Sequence, residues 1–220
     1  MTEERLEPMA AFFAQRVNGY DEHMLAGVAG CKRGYAELAQ RLPDGMETML
    51  DLGVGTGLEL AEIYRRFPGA RVTGVDLCGP MLAECARKFA KQRPTLLCGD
   101  YLAQEYGECA FDAAVSFETL HHLDAAEKRT LFERVCRALR PGGRYVQGDY
   151  AARDAREEAA FLAESKALRA KQGVADGERV HFDTPLTAAH ECALLREAGF
   201  ASAEAVWKEG NTVLIVARKA

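Results

Sequence analysis

Asp51, Gly53, Gly55 and Gly57 stand at alternate positions where the apolar run Met49-Leu50-Asp51-Leu52 gives way to a helical pattern. Glycine accepts positive φ and carries no Cβ, so main-chain N–H groups in such a turn can approach a ligand closely. A helix beginning near Thr56 points its free N–H groups into the same turn, which favours a charged or strongly polar small molecule. Nineteen residues beyond Gly57, the run Arg71-Val72-Thr73-Gly74-Val75 ends in Asp76, with Leu77 beside it. A carboxylate there can accept hydrogen bonds from two vicinal ribose hydroxyls, and turn and acid together imply a cofactor of the adenosine type.

Later segments repeat the pattern of an apolar run ending in polar groups. Thr95 to Cys98 stops at Gly99-Asp100-Tyr101, and Phe111 to Phe117 leads into Glu118-Thr119-Leu120-His121-His122. A helix follows, stopped by Pro141-Gly142-Gly143, and then a fifth run reaches Asp149 and Tyr150. Acids at strand ends also serve as turn formers and helix caps, so the combination carries the argument rather than any one residue.

In combination these segments resemble the class I S-adenosylmethionine-dependent methyltransferases, over residues 45–150 through the motifs and to the C-terminus through the order of elements. The resemblance implies an α/β, Rossmann-like, doubly wound and mostly parallel seven-stranded sheet, with an antiparallel C-terminal strand and helices on both faces. It also implies S-adenosyl-L-methionine as cofactor: Asp51, Gly53, Gly55 and Gly57 would line its methionine part, Asp76 would hold its ribose and Asp100 would meet its adenine amino group, with Leu77 also among the cofactor-binding residues. Tyr101 or Leu102 would lie near the adenine, and backbone around Phe117 and Glu118 would approach the sulfonium. The segment Phe12 to Tyr20, through Arg16 and Tyr20, is similar to one that closes over the cofactor carboxylate. Asp51 sits inside a strand and needs a partner there; the cofactor's α-amino group would supply one, each charge-assisted hydrogen bond contributing roughly 1.5 to 3 kcal/mol. A valine at Gly55 is expected to fill the turn and weaken binding.

Positioning these residues requires alternating strands and helices. The periodicity predicts helices near Leu6 to Asn18, His23 to Leu42, Leu58 to Phe67, Pro80 to Phe89, Asp124 to Leu139, Asp154 to Lys171 and Thr187 to Ala198. Asp124 can cap the helix in which Leu131, Val135, Ala138 and Leu139 recur at helical spacing. Ser202 to Lys208 and Thr212 to Ala217 read as a hairpin around Glu209-Gly210-Asn211. The expected organisation is one methyltransferase domain: a helical N-terminal cap (1–45), a cofactor-binding core (46–150), an acceptor-site cap (151–186) and a C-terminal helix and hairpin (187–220). The cap interrupts the alternation after the fifth strand and, with the N-terminal helices, would roof the cleft and select the methyl acceptor.

A chain of 220 residues with 48% hydrophobic content suits one well-buried core. No apolar stretch approaches the roughly 20 residues that span a bilayer, and the charged start Met1-Thr2-Glu3-Glu4-Arg5 lacks an apolar signal core. A cytoplasmic location with no membrane partner is therefore expected. The seven cysteines are odd in number, scattered and without a Cys-x-x-Cys pair, so neither a disulfide framework nor a metal site is expected. The net charge of −5 argues against nucleic acid as a partner, because such binders carry a basic face whose counterion release drives association. A homodimer is compatible with the sequence.

Methyl transfer from a sulfonium has a good neutral leaving group, so alignment and exclusion of water can supply most of the acceleration. A base is needed only for a protonated acceptor. His121 and His122 are the catalytic candidates, His121 preferred, as a histidine titrating near neutral pH; His181, Glu118 and Tyr150 are further ones. Loop packing is the duller role open to each. The acidic surface and the roofing segments favour a small-molecule acceptor methylated at oxygen, nitrogen or sulfur. A tRNA or protein acceptor on the same fold is the second reading, and a basic cleft rim would favour it. A nicotinamide-dependent oxidoreductase is the third, since Asp76 suits the ribose of NAD as well, but Gly-x-Gly-x-Gly spacing, Gly99-Asp100 and the C-terminal hairpin have no role in it. A cofactor-binding regulator without turnover would carry the same features.

Overall fold

Strands buried on both faces must be nearly continuous apolar runs, and those found in the sequence form the middle of one sheet. The computed structural model describes residues 5–175 and 177–220; the first four residues, where the charged start of the chain falls, lie outside the described part. β1 (Thr48–Leu52), β2 (Arg71–Asp76), β3 (Thr95–Cys98), β4 (Phe111–Phe117), β5 (Leu139–Tyr150), β6 (Ser202–Glu209) and β7 (Thr212–Arg218) lie in the order β3-β2-β1-β4-β5-β7-β6. The first five pair in parallel, while β7 runs antiparallel to both β5 and β6. The expected doubly wound, mostly parallel seven-stranded sheet is therefore present, with the antiparallel strand placed one in from the edge.

Side chains alternate across the sheet into two cores. Leu50 and Leu52 of β1 point to the face covered by α6 (Ala125–Ala138) and α8 (Ala188–Glu197), packing with Leu131, Phe132, Val135 and Leu195. Met49 points to the other face, where α3 (Cys31–Arg41), α4 (Leu58–Arg66) and α5 (Gly79–Lys88) supply Leu38, Leu60, Ile63 and Cys85. The cap at Asp124 is formed as the sequence predicts: its side chain accepts from the Glu127 N–H at 2.9 Å while Glu127 accepts from the Asp124 N–H at 3.1 Å.

Two predicted elements differ. The N-terminal helices are broken into α1 (Met9–Ala14), the short α2 (Tyr20–Glu22) continued as a π-helical turn His23–Gly27, and α3. Gly19 (φ 86°) and Gly30 (φ 92°) take left-handed backbone at the breaks, and a Cβ on Gly30 would lie 2.7 Å from the Glu209 carbonyl oxygen at the β6–β7 turn. Pro141-Gly142-Gly143 does not separate helix from strand: it forms an irregularity inside β5, where the partner register jumps from Phe111↔Leu139 to Ala113↔Arg144. Pro141 has no N–H for the ladder, which confines it to such a bulge.

α7 (Ala155–Gln172) is capped by Asp154, which accepts from the Arg156 and Glu157 N–H groups at 2.9 Å, and it has no buried residue. Five of the seven cysteines are buried, and all seven are free thiols. No helix among the described residues is long and apolar enough to cross a membrane.

Under the second half of the sheet, Lys128 of α6 and Glu191 of α8 form a fully buried ion pair. Removing one partner strands the other charge in the core. Lys128→Ala is expected to destabilise the fold by about 3–5 kcal/mol, whereas Lys128→Met with Glu191→Leu stays near neutral; thermal and urea unfolding of the two variants distinguishes these outcomes.

Candidate active site

All five parallel strands deliver their ends to one edge, and the glycine turn after β1 lies at its middle. Gly53 (φ 74°) and Gly55 (φ 50°) take left-handed backbone. The Gly53 and Val54 N–H groups donate to the Val75 carbonyl at 2.8 and 3.1 Å, so the turn hangs on the end of β2. Asp76 completes the joint: Oδ2 accepts from the Gly55 N–H and Oδ1 from the Cys78 N–H, both at 2.8 Å. Burial raises its pKa and the two backbone hydrogen bonds pull it part of the way back.

The three glycines have different duties. A Cβ on Gly53 would strike Thr119, 2.3 Å from Oγ1, and one on Gly57 would strike Phe89 and Cys85 at 2.8 and 2.9 Å. Gly57 is thus a packing position at the head of α4, away from the cleft lining. Gly55 faces open space, with its nearest neighbours at 3.8 and 4.0 Å, so a valine there would not fill the turn as the sequence led us to expect; positive φ on a β-branched residue is the obstacle instead.

The candidates Gly53, Gly55, Asp76, Leu77, Asp100, Tyr101 and Tyr20 come together in the lining of one narrow cleft. Its free volume is only about 70 Å³, because Met9 and Phe13 of α1 and Arg179 close over it. Arg179 is a residue the sequence did not reveal: its Nε donates to Asp100 Oδ2 at 2.9 Å, and it also pairs with Glu127. Asp100 Oδ1 accepts from the Leu102 N–H at 2.8 Å. The closing segments are tied together, the Met9 N–H donating to the Arg179 carbonyl and the His181 N–H to the Glu7 carbonyl, each at 2.9 Å.

Arg16, Asp51 and the Phe117 side chain do not line this cleft, although Glu118, next to Phe117 in the chain, does. Arg16 lines a neighbouring cavity rather than this cleft, its guanidinium stacked 3.5 Å above the Phe12 ring and donating to the Phe12 carbonyl at 2.8 Å. The Phe117 side chain belongs to the core, 4.3 Å from the Tyr35 ring and pressed against Gly34 and Gly148. Asp51 is fully buried behind the turn, facing Glu59.

The neighbouring cavity is roomier, about 930 Å³, and shares Phe13, Tyr20, Glu118 and His122 with the cleft. Four of the chain's five histidines line it, namely His23, His121, His122 and His181. Its walls include the N-terminal elements, His181 and Asp183 of the segment expected to roof the cleft, and the β6–β7 turn; α7 of that segment does not line it and reaches it only through Phe161, whose ring lies 6.0 Å from that of the lining Tyr150. Asn211 and Thr212 of the turn, missed by the sequence, take its place.

At the junction of the two cavities the end of β5 organises the histidines. Asp149 Oδ1 lies 2.6 Å from His121 Nδ1, and its Oδ2 accepts from the Leu120 N–H at 2.9 Å. Burial alone lowers the His121 pKa, but the carboxylates of Asp149, Asp183 and Glu118 around it outweigh burial and push it up to about 9. These carboxylates favour the imidazolium form of His121 at neutral pH. Burial and the neighbouring histidines hold His122 well below its ordinary value. Glu118 (φ 48°) accepts from Thr212 Oγ1 at 2.7 Å, and burial beside Asp149 raises its carboxyl. Ligand atoms of His121, His122 and Asp183 come within 4.8 Å of one another, a grouping invisible in the sequence, where no metal site was expected. His122 Nδ1 faces both the Phe182 carbonyl at 3.3 Å and Asp183 Oδ1 at 3.4 Å, which suits a ring presenting N–H to two acceptors.

A glycine turn fastened to an acid on the next strand, at the carboxyl edge of a sheet with one antiparallel strand near its edge, defines a nucleotide-type cofactor enzyme of the methyltransferase class. The comparisons agree. The family model "Methyltransferase domain" matches residues 49–143. An uncharacterized methyltransferase of Geobacillus kaustophilus is 30% identical over 178 residues, covering 81% of this chain and 80% of the relative. Among solved structures, a candidate O-methyltransferase of Nostoc punctiforme superposes with a TM-score of 0.73 at 21% identity, over 99% of this chain and 63% of that one. Human N-acetylserotonin methyltransferase in complex with S-adenosylmethionine superposes at 0.66 and 20% identity, over 96% of this chain and 56% of that one. The chain belongs to the class I S-adenosylmethionine-dependent methyltransferases, and the oxidoreductase reading falls.

Asp76→Ala is expected to weaken S-adenosylhomocysteine binding about tenfold or more, the loss of roughly 1.5–3 kcal/mol from charged hydrogen bonds. Gly55→Val should weaken it further by straining the backbone. Calorimetric titration of both variants checks this, and undiminished affinity in both would remove the cleft from the account.

Proposed function

We propose that the chain transfers a methyl group from S-adenosylmethionine to an oxygen, nitrogen or sulfur atom of a small molecule held in the larger cavity. The observation that carries the reading is the shared wall: Phe13, Tyr20, Glu118 and His122 line both cavities, so a ligand in each would meet there. A volume near 930 Å³ suits a small acceptor. Arg16 is the one Lys or Arg among its described lining residues, beside the acids Glu118 and Asp183, so the rim lacks the basic character that a nucleic-acid acceptor calls for.

The residues present fit the cofactor. The turn at Gly53 and Gly55 leaves no side chain between backbone and ligand, Asp76 is anchored to receive ribose hydroxyls, and both oxygens of Asp51 lack a hydrogen-bond donor behind the turn. When bound, S-adenosylmethionine supplies an electrophilic methyl group on a sulfonium with a neutral thioether as leaving group. Asp100 and Tyr101 bound the adenine end, with Arg179 competing for the Asp100 carboxylate until α1 and residues 179–183 swing aside. Those segments then exclude water from the junction.

For a protonated acceptor, His121 is the base. Asp149 fixes its ring through Nδ1, leaving Nε2 on the cavity side, 3.7 Å from Asp183 Oδ1. The surrounding carboxylates that favour the imidazolium also set the working range: the ring accepts a proton only in the fraction already deprotonated, which grows as pH rises toward about 9. With a hydroxyl acceptor, kcat/KM is expected to climb about tenfold per pH unit below that value and then level. His121→Gln should flatten the profile and lower turnover about 10²- to 10⁴-fold. A native profile that is already flat, or a His121→Gln enzyme at full rate, would remove His121 from the chemistry while leaving the alignment mechanism intact.

A further inference from the structure

Two carboxyl groups are buried against each other behind the glycine turn. Asp51 shares the face of β1 with Met49 and points toward α4, where Glu59 is the second residue. Asp51 is fully buried and Glu59 is 4% exposed. Neither oxygen of Asp51 and not Oε1 of Glu59 has a hydrogen-bond donor within reach. Two carboxylates in that position would repel each other with no water to screen them, so one proton must lie between them and make the hydrogen bond that neither could otherwise form.

The other groups facing the pair do not neutralise it. Asp76 adds negative charge, and Tyr20, Tyr35, Tyr64 and Cys85 are neutral groups whose own ionisation is held off by burial and by the acids. Lys88 is the one cation among them, and its Nζ is already engaged 2.6 Å from Asp21 Oδ2. Tyr20 connects the pair to the cleft: its ring lines the cavity, and Glu59 is the charge it feels most. The pair is therefore short of one cation, and Tyr20, which lines the cofactor cleft, is close enough to feel the charge of Glu59.

We propose that Asp51 and Glu59 hold one proton jointly, and that the α-ammonium group of the cofactor takes its place on binding while the proton leaves to solvent. Charge balances: a pair carrying −1 with its proton becomes a pair carrying −2 against a ligand ammonium of +1. The proposal rests on the cofactor reading above and adds Glu59 to the binding residues. Burial raises both carboxyls; Glu59 raises Asp51 further, while the contact with Asp51 draws Glu59 part of the way back, so that the proton stays on the pair in the free protein. Since the ammonium competes with a proton, affinity rises with pH, about tenfold per unit over the range in which the pair is protonated, for ligands that carry the α-amino group and not for those that lack it.

The test is calorimetric titration of the full chain, just below neutral pH, in buffers of different ionisation enthalpy. S-adenosylhomocysteine carries the α-ammonium, and 5′-methylthioadenosine has the same nucleoside without it. The proposal predicts release of about one proton per S-adenosylhomocysteine bound and close to none for 5′-methylthioadenosine. In Glu59→Gln the amide donates to Asp51 and removes the need for a shared proton, so release on S-adenosylhomocysteine binding should vanish while 5′-methylthioadenosine still binds and reports a folded cleft. Binding of S-adenosylhomocysteine without proton release, or equal release by native and Glu59→Gln chains, overturns the proposal and leaves the cofactor reading standing. Failure of both ligands to bind removes that reading and the proposal with it.

Discussion

The Asp76 carboxylate ties the ends of two neighbouring strands together, and the site is built on that joint. One oxygen holds the Gly55 N–H of the turn after β1; the other holds the Cys78 N–H that opens α5. A carboxylate taken out of water needs such donors, and a turn in left-handed backbone needs an anchor to stay there. Each satisfies the other. The result is a rigid floor at the carboxyl edge of the sheet, above which α1, residues 179–183 and the β6–β7 turn can close two adjoining cavities.

The same edge concentrates buried acids, and their differing partners sort them by role. Asp76 is served by backbone N–H groups, Asp149 by His121 and the Leu120 N–H, and Glu118 by Thr212. Asp100 is held by Arg179, which is itself part of the closing segment. Both oxygens of Asp51 and Oε1 of Glu59 are without a hydrogen-bond donor. Burial pushes a carboxyl toward its neutral form, so the acid with the fewest donors is the one whose proton is most available for exchange with a ligand cation. Around His121 the balance runs the other way, three carboxylates keeping one imidazole charged.

What could be read from the sequence was whatever depends on local physics. Buried parallel strands must be apolar runs, a turn in left-handed backbone favours glycine, and Asp124 before an apolar helical stripe can cap a helix; the strands, the left-handed glycines and the cap are all present. Contacts between distant segments were not legible. Arg179 meets Asp100 across 79 residues and Thr212 meets Glu118 across 94, and nothing in either local pattern marks the pairing. The polar helix α7 illustrates a third case: a helix without an apolar stripe reads the same whether it roofs a cleft or stands in solvent, and here it has no buried residue. Arg16 was placed by its type, but the Phe12 ring next to it on the same helical stretch captured the guanidinium. Gly57 and Phe117 fit the motif by position while serving the packing of α4 and α3.

The most direct test is a crystal structure of the chain with S-adenosylhomocysteine. The account predicts the ribose hydroxyls on the Asp76 carboxylate, the adenine beside Asp100 and Tyr101 with Arg179 displaced, and the amino-acid end over Gly53 and Gly55. Ligand bound outside this cleft, or in it with the ribose remote from Asp76, would contradict the account.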